Sequence, residues 1–147
     1  MSKARAAFTA HQSSAEAARA LIEQLGGEAV RAIVFFAGIK QDGRYLRDAL
    51  SAAFPGACVL GCSTDGEFSS RGFGKGGVSA IAFGPEMIGQ CAVEMIDPRG
   101  DLTEAMSKAS HGFAEKLGHS PRELDPTHYM ALALVEGAKG RDERINE

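Results

Sequence analysis

AIVFFA, residues 32 to 37, is an unbroken apolar run rich in β-branched and aromatic side chains. That composition predicts a strand covered on both faces, and therefore a central place in a sheet. Upstream, Ser13-Ser14-Ala15-Glu16 has capping-box spacing, and Ala17, Ala18, Leu21, Ile22 and Leu25 fall on one helical face before Gly26-Gly27. Downstream, Asp42 is placed to cap a second helix with a buried stripe of Tyr45, Leu46, Ala49, Leu50 and Ala53, stopped by Pro55-Gly56. Ala57 to Gly61 reads as a second buried strand, so strand, helix and strand alternate around the opening run.

Further along, the apolar runs Val78 to Phe83 and Gln90 to Ile96 flank Gly84-Pro85, the pattern of two antiparallel strands joined by a turn. Asp101-Leu102-Thr103-Glu104 again has capping-box spacing, ahead of the stripe Leu102, Ala105, Met106, Ala109, Phe113 and Leu117. Tyr129 to Val135 reads as a last strand. The expected order is α-β-α-β-β-β-α-β, an α/β fold in which helices pack on a mixed sheet. Beyond Val135 a Gly-punctuated turn and a charged segment resemble the approach to another helix, so a module incomplete at its C-terminus is expected.

Bulk composition narrows the function classes. The 147 residues suit one domain, and a chain of that size buries roughly two thirds of the surface its unfolded form exposes. With 44% apolar and 24% charged residues, the chain is close to an average globular protein. A net charge of −3, without Lys and Arg interleaved among aromatics, argues against nucleic acid as a partner. The N-terminus lacks a signal-peptide core, and no run approaches the roughly 20 apolar residues that span a bilayer, so a cytoplasmic protein without a membrane partner is expected. Three cysteines without CxxC spacing argue against disulfides and zinc, and His11, His111, His119 and His128 show no metal-ligand spacing. No metal or cofactor is expected.

Chemistry concentrates in Gly61-Cys62-Ser63-Thr64-Asp65-Gly66-Glu67. As a nucleophile, Cys62 at the end of a strand would serve a cysteine-dependent hydrolase or transferase, but Asp65 and Glu67 beside it would raise the thiol pKa. As a binding loop, the Ser63 and Thr64 hydroxyls, the backbone amides, and the Asp65 and Glu67 carboxylates suit a small zwitterion. As a polar turn, the same residues would satisfy their own backbone. Residue chemistry leaves the last two readings open, the turn being what a non-catalytic interaction fragment would carry. Gly72-Phe73-Gly74-Lys75-Gly76-Gly77 matches G-x-G-x-x-G in form only, since it precedes a strand and opens no helix. A flexible loop is expected there, with Lys75 and the amides able to close on a small anion.

An apolar strand followed by Gly61-Cys62-Ser63-Thr64-Asp65-Gly66-Glu67-Phe68, a glycine-containing spacer and a strand ending in Ala80-Ile81-Ala82-Phe83 resembles the N-terminal FIST domain. Phe54-Pro55-Gly56-Ala57 fits, and Val135-Glu136-Gly137-Ala138-Lys139-Gly140-Arg141-Asp142-Glu143-Arg144 is similar to that family's strand and Gly-x-x-Gly-x-Glu-Arg turn. The resemblance runs from about Ala15 to Arg144, and the Gly61 to Glu67 block is its most specific part. It implies a ligand-sensing module for small molecules such as amino acids, acting in signal transduction. The matching positions are Gly61, Cys62, Ser63, Thr64, Gly66 and Glu67, with Gly137, Gly140, Glu143 and Arg144 in the second motif. Arg144 would pair with a ligand carboxylate, or with Glu67 or Asp65. The implied partners are a small-molecule ligand and a C-terminal FIST domain or signalling output on another chain, and open strand edges would favour a homo-oligomer.

Overall fold

The structure, a computed structural model, describes residues 4–27, 29–70, 72–97 and 100–135. It divides into two compact units, one running to Ile88 and resuming at Ala133, the other covering Gly89–Leu132. The first is a mixed α/β unit. Its elements are β1 (Ala4–Thr9), α1 (Ser14–Leu25), β2 (Ala32–Gly38), α2 (Gly43–Ala53), β3 (Cys58–Thr64), β4 (Glu67–Ser69), β5 (Gly72–Gly74) and β6 (Val78–Phe83).

Four strands form one sheet in the order β1-β6-β2-β3, with β2 and β3 parallel and β6 antiparallel to both of its neighbours. AIVFFA is thus an inner strand, as its composition demands. On one sheet face Ile33, Phe35 and Ala37 of β2 line up with Val78, Ala80 and Ala82 of β6, and this face is closed by Leu21 and Leu25 of α1 and by Leu46 and Leu50 of α2. The strand alanines are small, which lets the two helices sit close to the sheet. Burying side chains of this size contributes roughly 1.5–3 kcal/mol for each large aliphatic, so this face dominates the unit's stability. Val34 and Phe36 point to the opposite face, where Phe36 is 37% exposed. The expectation that β2 is covered equally on both sides therefore fails at Phe36, because both helices pack on the other face.

Several expected elements differ. β1 is an additional strand, alanine-rich and therefore weak in strand propensity. Gln90 to Ile96 joins no ladder: β6 already has β1 on one edge and β2 on the other, so no edge is left for a hairpin partner. The chain instead turns at Gly84, whose carbonyl accepts from the Met87 and Ile88 amides at 3.1 Å. Tyr129 to Val135 likewise pairs with no strand among the described residues. β3 runs on to Thr64 where a stop at Gly61 was expected, because β2 continues beside it and pairs Phe35 through Gly38 with Gly61 through Thr64.

Helix α2 starts as expected, with the Asp42 carboxylate accepting from the Tyr45 amide at 3.0 Å. Its buried stripe is narrower than expected, since only Leu46 and Leu50 are fully buried while Tyr45 and Ala53 face solvent. These two lie at the flanks of the i, i+4 line that meets the core. At α1 the capping box does not form. Ser13 makes no side-chain cap, and the Ser14 hydroxyl is taken by the start of α2, donating to Gln41 Oε1 and accepting from the Asp42 amide, both at 2.8 Å.

The second unit is built on α3 (Leu102–Leu117) and a 3₁₀ turn (Pro121–Glu123). Asp101 caps α3 by accepting from the Thr103 and Glu104 amides at 2.8 and 3.2 Å, and Gly118 ends it in the left-handed conformation at φ +79°. Residues 90–94 run along the last turns of α3: Lys116 Nζ reaches Val93 O at 2.7 Å and Glu94 Oε1 at 2.8 Å, and Gln90 Nε2 donates to Leu117 O. Of the expected α3 stripe only Ala109 is fully buried, Met106 being exposed and Leu102, Ala105, Phe113 and Leu117 partly covered. Among the described residues no helix is long and apolar enough to cross a membrane.

Candidate functional site at the carboxyl end of the sheet

The parallel strands β2 and β3 end at Gly38 and Thr64, and β1, also parallel to β2, ends at Thr9. Both α1 and α2 start directly after these ends, and β6 begins there at Val78. Three backbone segments close on one another at this end. A Cβ at Gly38 would collide with the Cα of Gly76, and one at Gly77 with the carbonyl of Thr9. The contact is made by backbone, with the Gly38 amide donating to Gly77 O at 2.9 Å. Gly76 also has a φ of +85°, open to glycine and strained for other residues.

Gln41 ties the same region together. Its Nε2 donates to His11 O at 2.7 Å and Gly76 O at 2.9 Å, while its Oε1 receives the Ser14 hydroxyl. Gln41, Ser14, Gly38 and Gly77 all shape the site, yet in the sequence Ser14 and Gly77 read only as parts of a capping box and a glycine-rich loop, and Gln41 and Gly38 belong to no motif. A lone glutamine in a turn belongs to no pattern, and its role depends on three segments meeting in space.

The Gly61 to Glu67 block divides by role. Gly61 is a packing residue: a Cβ there would lie 2.5 Å from Phe35 O and 2.7 Å from two carbons of the Phe35 ring. Cys62 lies within β3 opposite Phe36 and Ser63 opposite Ala37, so the two side chains take opposite faces. Burial pushes the Cys62 thiol above its ordinary value, the reverse of what a nucleophile needs. The histidines do not offset this, as His11, His111 and His128 have contacts with Glu16, Ser107 and Asp125 respectively.

Thr64 behaves as the polar-turn reading expects, its Oγ1 donating to Gly66 O at 2.9 Å and accepting from the Gly66 amide at 3.3 Å. Asp65 is exposed and pairs with Lys75 Nζ at 3.0 Å, an ion pair across the β4–β5 hairpin. Lys75 is thereby engaged by a carboxylate. The glycine-rich segment, expected as a flexible loop, forms β5 and a turn instead, and Gly72 and Gly74 lie against the Phe8 ring. Those glycines let the hairpin approach an aromatic ring, which is why the spacing imitates a dinucleotide motif.

Glu67 stands apart. It is the first residue of β4, is only 1% exposed, and its Oε2 accepts from the Gly77 amide at 3.0 Å. Its Oε1 is buried with no hydrogen-bond partner among the described residues. Buried polar atoms are almost always paired, so an orphaned carboxylate oxygen at this sheet end marks a place where a donor belongs. Gly137, Gly140, Glu143 and Arg144 lie outside the described residues.

In comparison with known proteins, the family model described as FIST N domain matches residues 6–147, essentially the whole chain. No curated protein matches it.

Proposed function

The chain belongs to the FIST N-domain family, and on that premise we propose that it is a sensory module that binds a small molecule, an amino acid by chemical class, in the cytoplasm. The observation that carries this reading is topological. The Gly61 to Glu67 block sits at the carboxyl ends of the parallel strands β2 and β3, beside the start of α2. In open α/β sheets that end is where ligands bind, because the strands stop there and the helix N-terminal amides point outward. The block offers acceptors and hydroxyls on a support made rigid by backbone contacts at Gly38, Gly76 and Gly77.

In this reading Ser63, Asp65 and Glu67 supply polar contacts, Cys62, Thr64 and Gly66 hold the turn in shape, and Gly61 fixes β3 against Phe35. The family resemblance assigns Gly137, Gly140 and Arg144 of the second motif to the same ligand, the Arg144 fork being suited to a carboxylate. The signal passes to a C-terminal FIST domain or an output on another chain, with self-association as an alternative partner.

Thermal melts test the proposal, with amino acids and small carboxylates added at millimolar concentration to the 147-residue chain. A ligand at about 100 times its dissociation constant adds about 2.7 kcal/mol to the native state, a rise of several degrees in a domain of this size. A saturable rise with one class of compound, lost in Ser63→Ala or Arg144→Ala, is the expected result. A cooperative melt unmoved by the whole panel would remove the sensor reading.

A further inference from the structure

We infer that Glu67 is the recognition group for a cationic substituent of the ligand, a primary ammonium or a guanidinium, and that the β4–β5 hairpin moves to admit it. This deepens the sensor reading and rests on it. The starting point is the half-satisfied carboxylate: Oε2 is fixed by the Gly77 amide, while Oε1 is enclosed without a partner among the described residues. The group missing at Oε1 is a hydrogen-bond donor. A donor that is also positively charged compensates the carboxylate, and charge-assisted contacts of this kind are about twice as strong as neutral ones.

The surroundings hold Glu67 in place for this task. Gly77 is fixed by its close approach to Thr9, and Gly76 by Gln41, so the amide that orients the carboxylate belongs to a rigid corner. Asp65, the other acidic residue of the block, is exposed and paired with Lys75, so in water it attracts a ligand cation more weakly than the enclosed Glu67 does. Because Oε1 is enclosed, a ligand reaches it only if the hairpin that begins at Glu67 shifts. The hairpin is short and glycine-rich, rests on the Phe8 ring through Gly72 and Gly74, and is bridged at the surface by Lys75 and Asp65. An exposed ion pair of this kind restrains it only weakly. Phe68 follows Glu67 directly and stands opposite Phe73 on the outer side, the two being 77% and 78% exposed. Movement of the hairpin beyond Glu67 is therefore transmitted to an apolar surface pair, which gives occupancy an outward readout.

The chain has no tryptophan, so Phe68→Trp supplies a single fluorescent reporter on the hairpin. Titrations of this variant, and melts of the otherwise unaltered chain, would use L-amino acids, their N-acetyl derivatives, and the amines left when the carboxylate is removed. Saturable binding is expected from compounds that keep a free ammonium or guanidinium, and is expected to vanish on N-acetylation of compounds with no other cationic group. Glu67→Gln should weaken binding about ten- to a hundredfold, the loss of one charged hydrogen bond. Without ligand, Glu67→Gln should melt at or above the parent, since the glutamine carbonyl can still accept from Gly77 and a buried charge is gone. A ligand-free Glu67→Gln chain that melts several degrees lower would show that the protein itself pairs Oε1, and would overturn the proposal. Binding that survives both N-acetylation and Glu67→Gln would overturn it while leaving the sensor reading intact. Binding by none of the compounds would remove both.

Discussion

Gly61 and Cys62 are adjacent in β3, yet the backbone alternation of a strand gives them unrelated roles. Gly61, exposed on the edge strand, yields its side-chain space to Phe35, where the closest neighbour of an added Cβ is a backbone carbonyl that cannot rotate away. Gly61→Ala is therefore expected to destabilise by about 1–3 kcal/mol, the usual cost of forcing a side chain against neighbours that cannot give way, and to lower the melting point by several degrees. An unchanged melt would mean that β2 and β3 can part without cost. Cys62 faces the other side, and desolvation raises its thiol pKa in the folded chain. The sign follows: a folded-state value above the unfolded one stabilises the native chain below the ordinary thiol value, and that contribution is lost as pH climbs through the folded value. Native Cys62 should accordingly be alkylated more slowly at neutral pH than in the denatured chain. Fast native labelling would revive a nucleophilic role.

At the scale of elements, what could be read from the sequence depended on whether the signal was local. α3 was legible because cap, stripe and stop all lie within the helix: Asp101 binds two amides, and Gly118 takes the left-handed turn. Asp101→Ala should cost about 1 kcal/mol and reduce helicity by circular dichroism, whereas Asp101→Asn should retain most of the cap. β2 and α2 were legible for the same reason. β1 was not, since Ala4–Thr9 is alanine-rich and becomes a strand only by pairing with β6. That pairing also explains the failure at Gln90 to Ile96, whose pattern suits a strand but whose partner edge is occupied. The candidate site was legible in composition but not in roles. Nothing in the Gly61 to Glu67 string separates Asp65, exposed and paired with Lys75, from Glu67, buried with an open oxygen. The difference is made by Gly77, distant in sequence, and by the hairpin that turns Glu67 inward.

For the molecule as a whole, the two units should differ in how far their backbones are protected. In the first, β2 and β6 are paired along both edges and carry most of the buried apolar core, so their amides open only when the sheet itself is lost. In the second, α3 buries Ala109 alone among its residues, and the segment before it is tied to the helix by Lys116, Glu94 and Gln90 side chains. Single ion pairs and side-chain hydrogen bonds near the surface contribute little, and an isolated helix of this length is marginal in water. Native-state hydrogen exchange should therefore show the slowest amides in β2 and β6 and much faster exchange through α3, with denaturant affecting α3 before the sheet. Equal protection in both would mean that the partly exposed stripe of Met106, Phe113 and Leu117 is covered in solution, and would direct attention to a partner on that face. The same measurement with an amino-acid ligand bears on sensing, since binding at Glu67 should slow exchange in β4, β5 and the Gly76–Gly77 turn while leaving α3 unchanged.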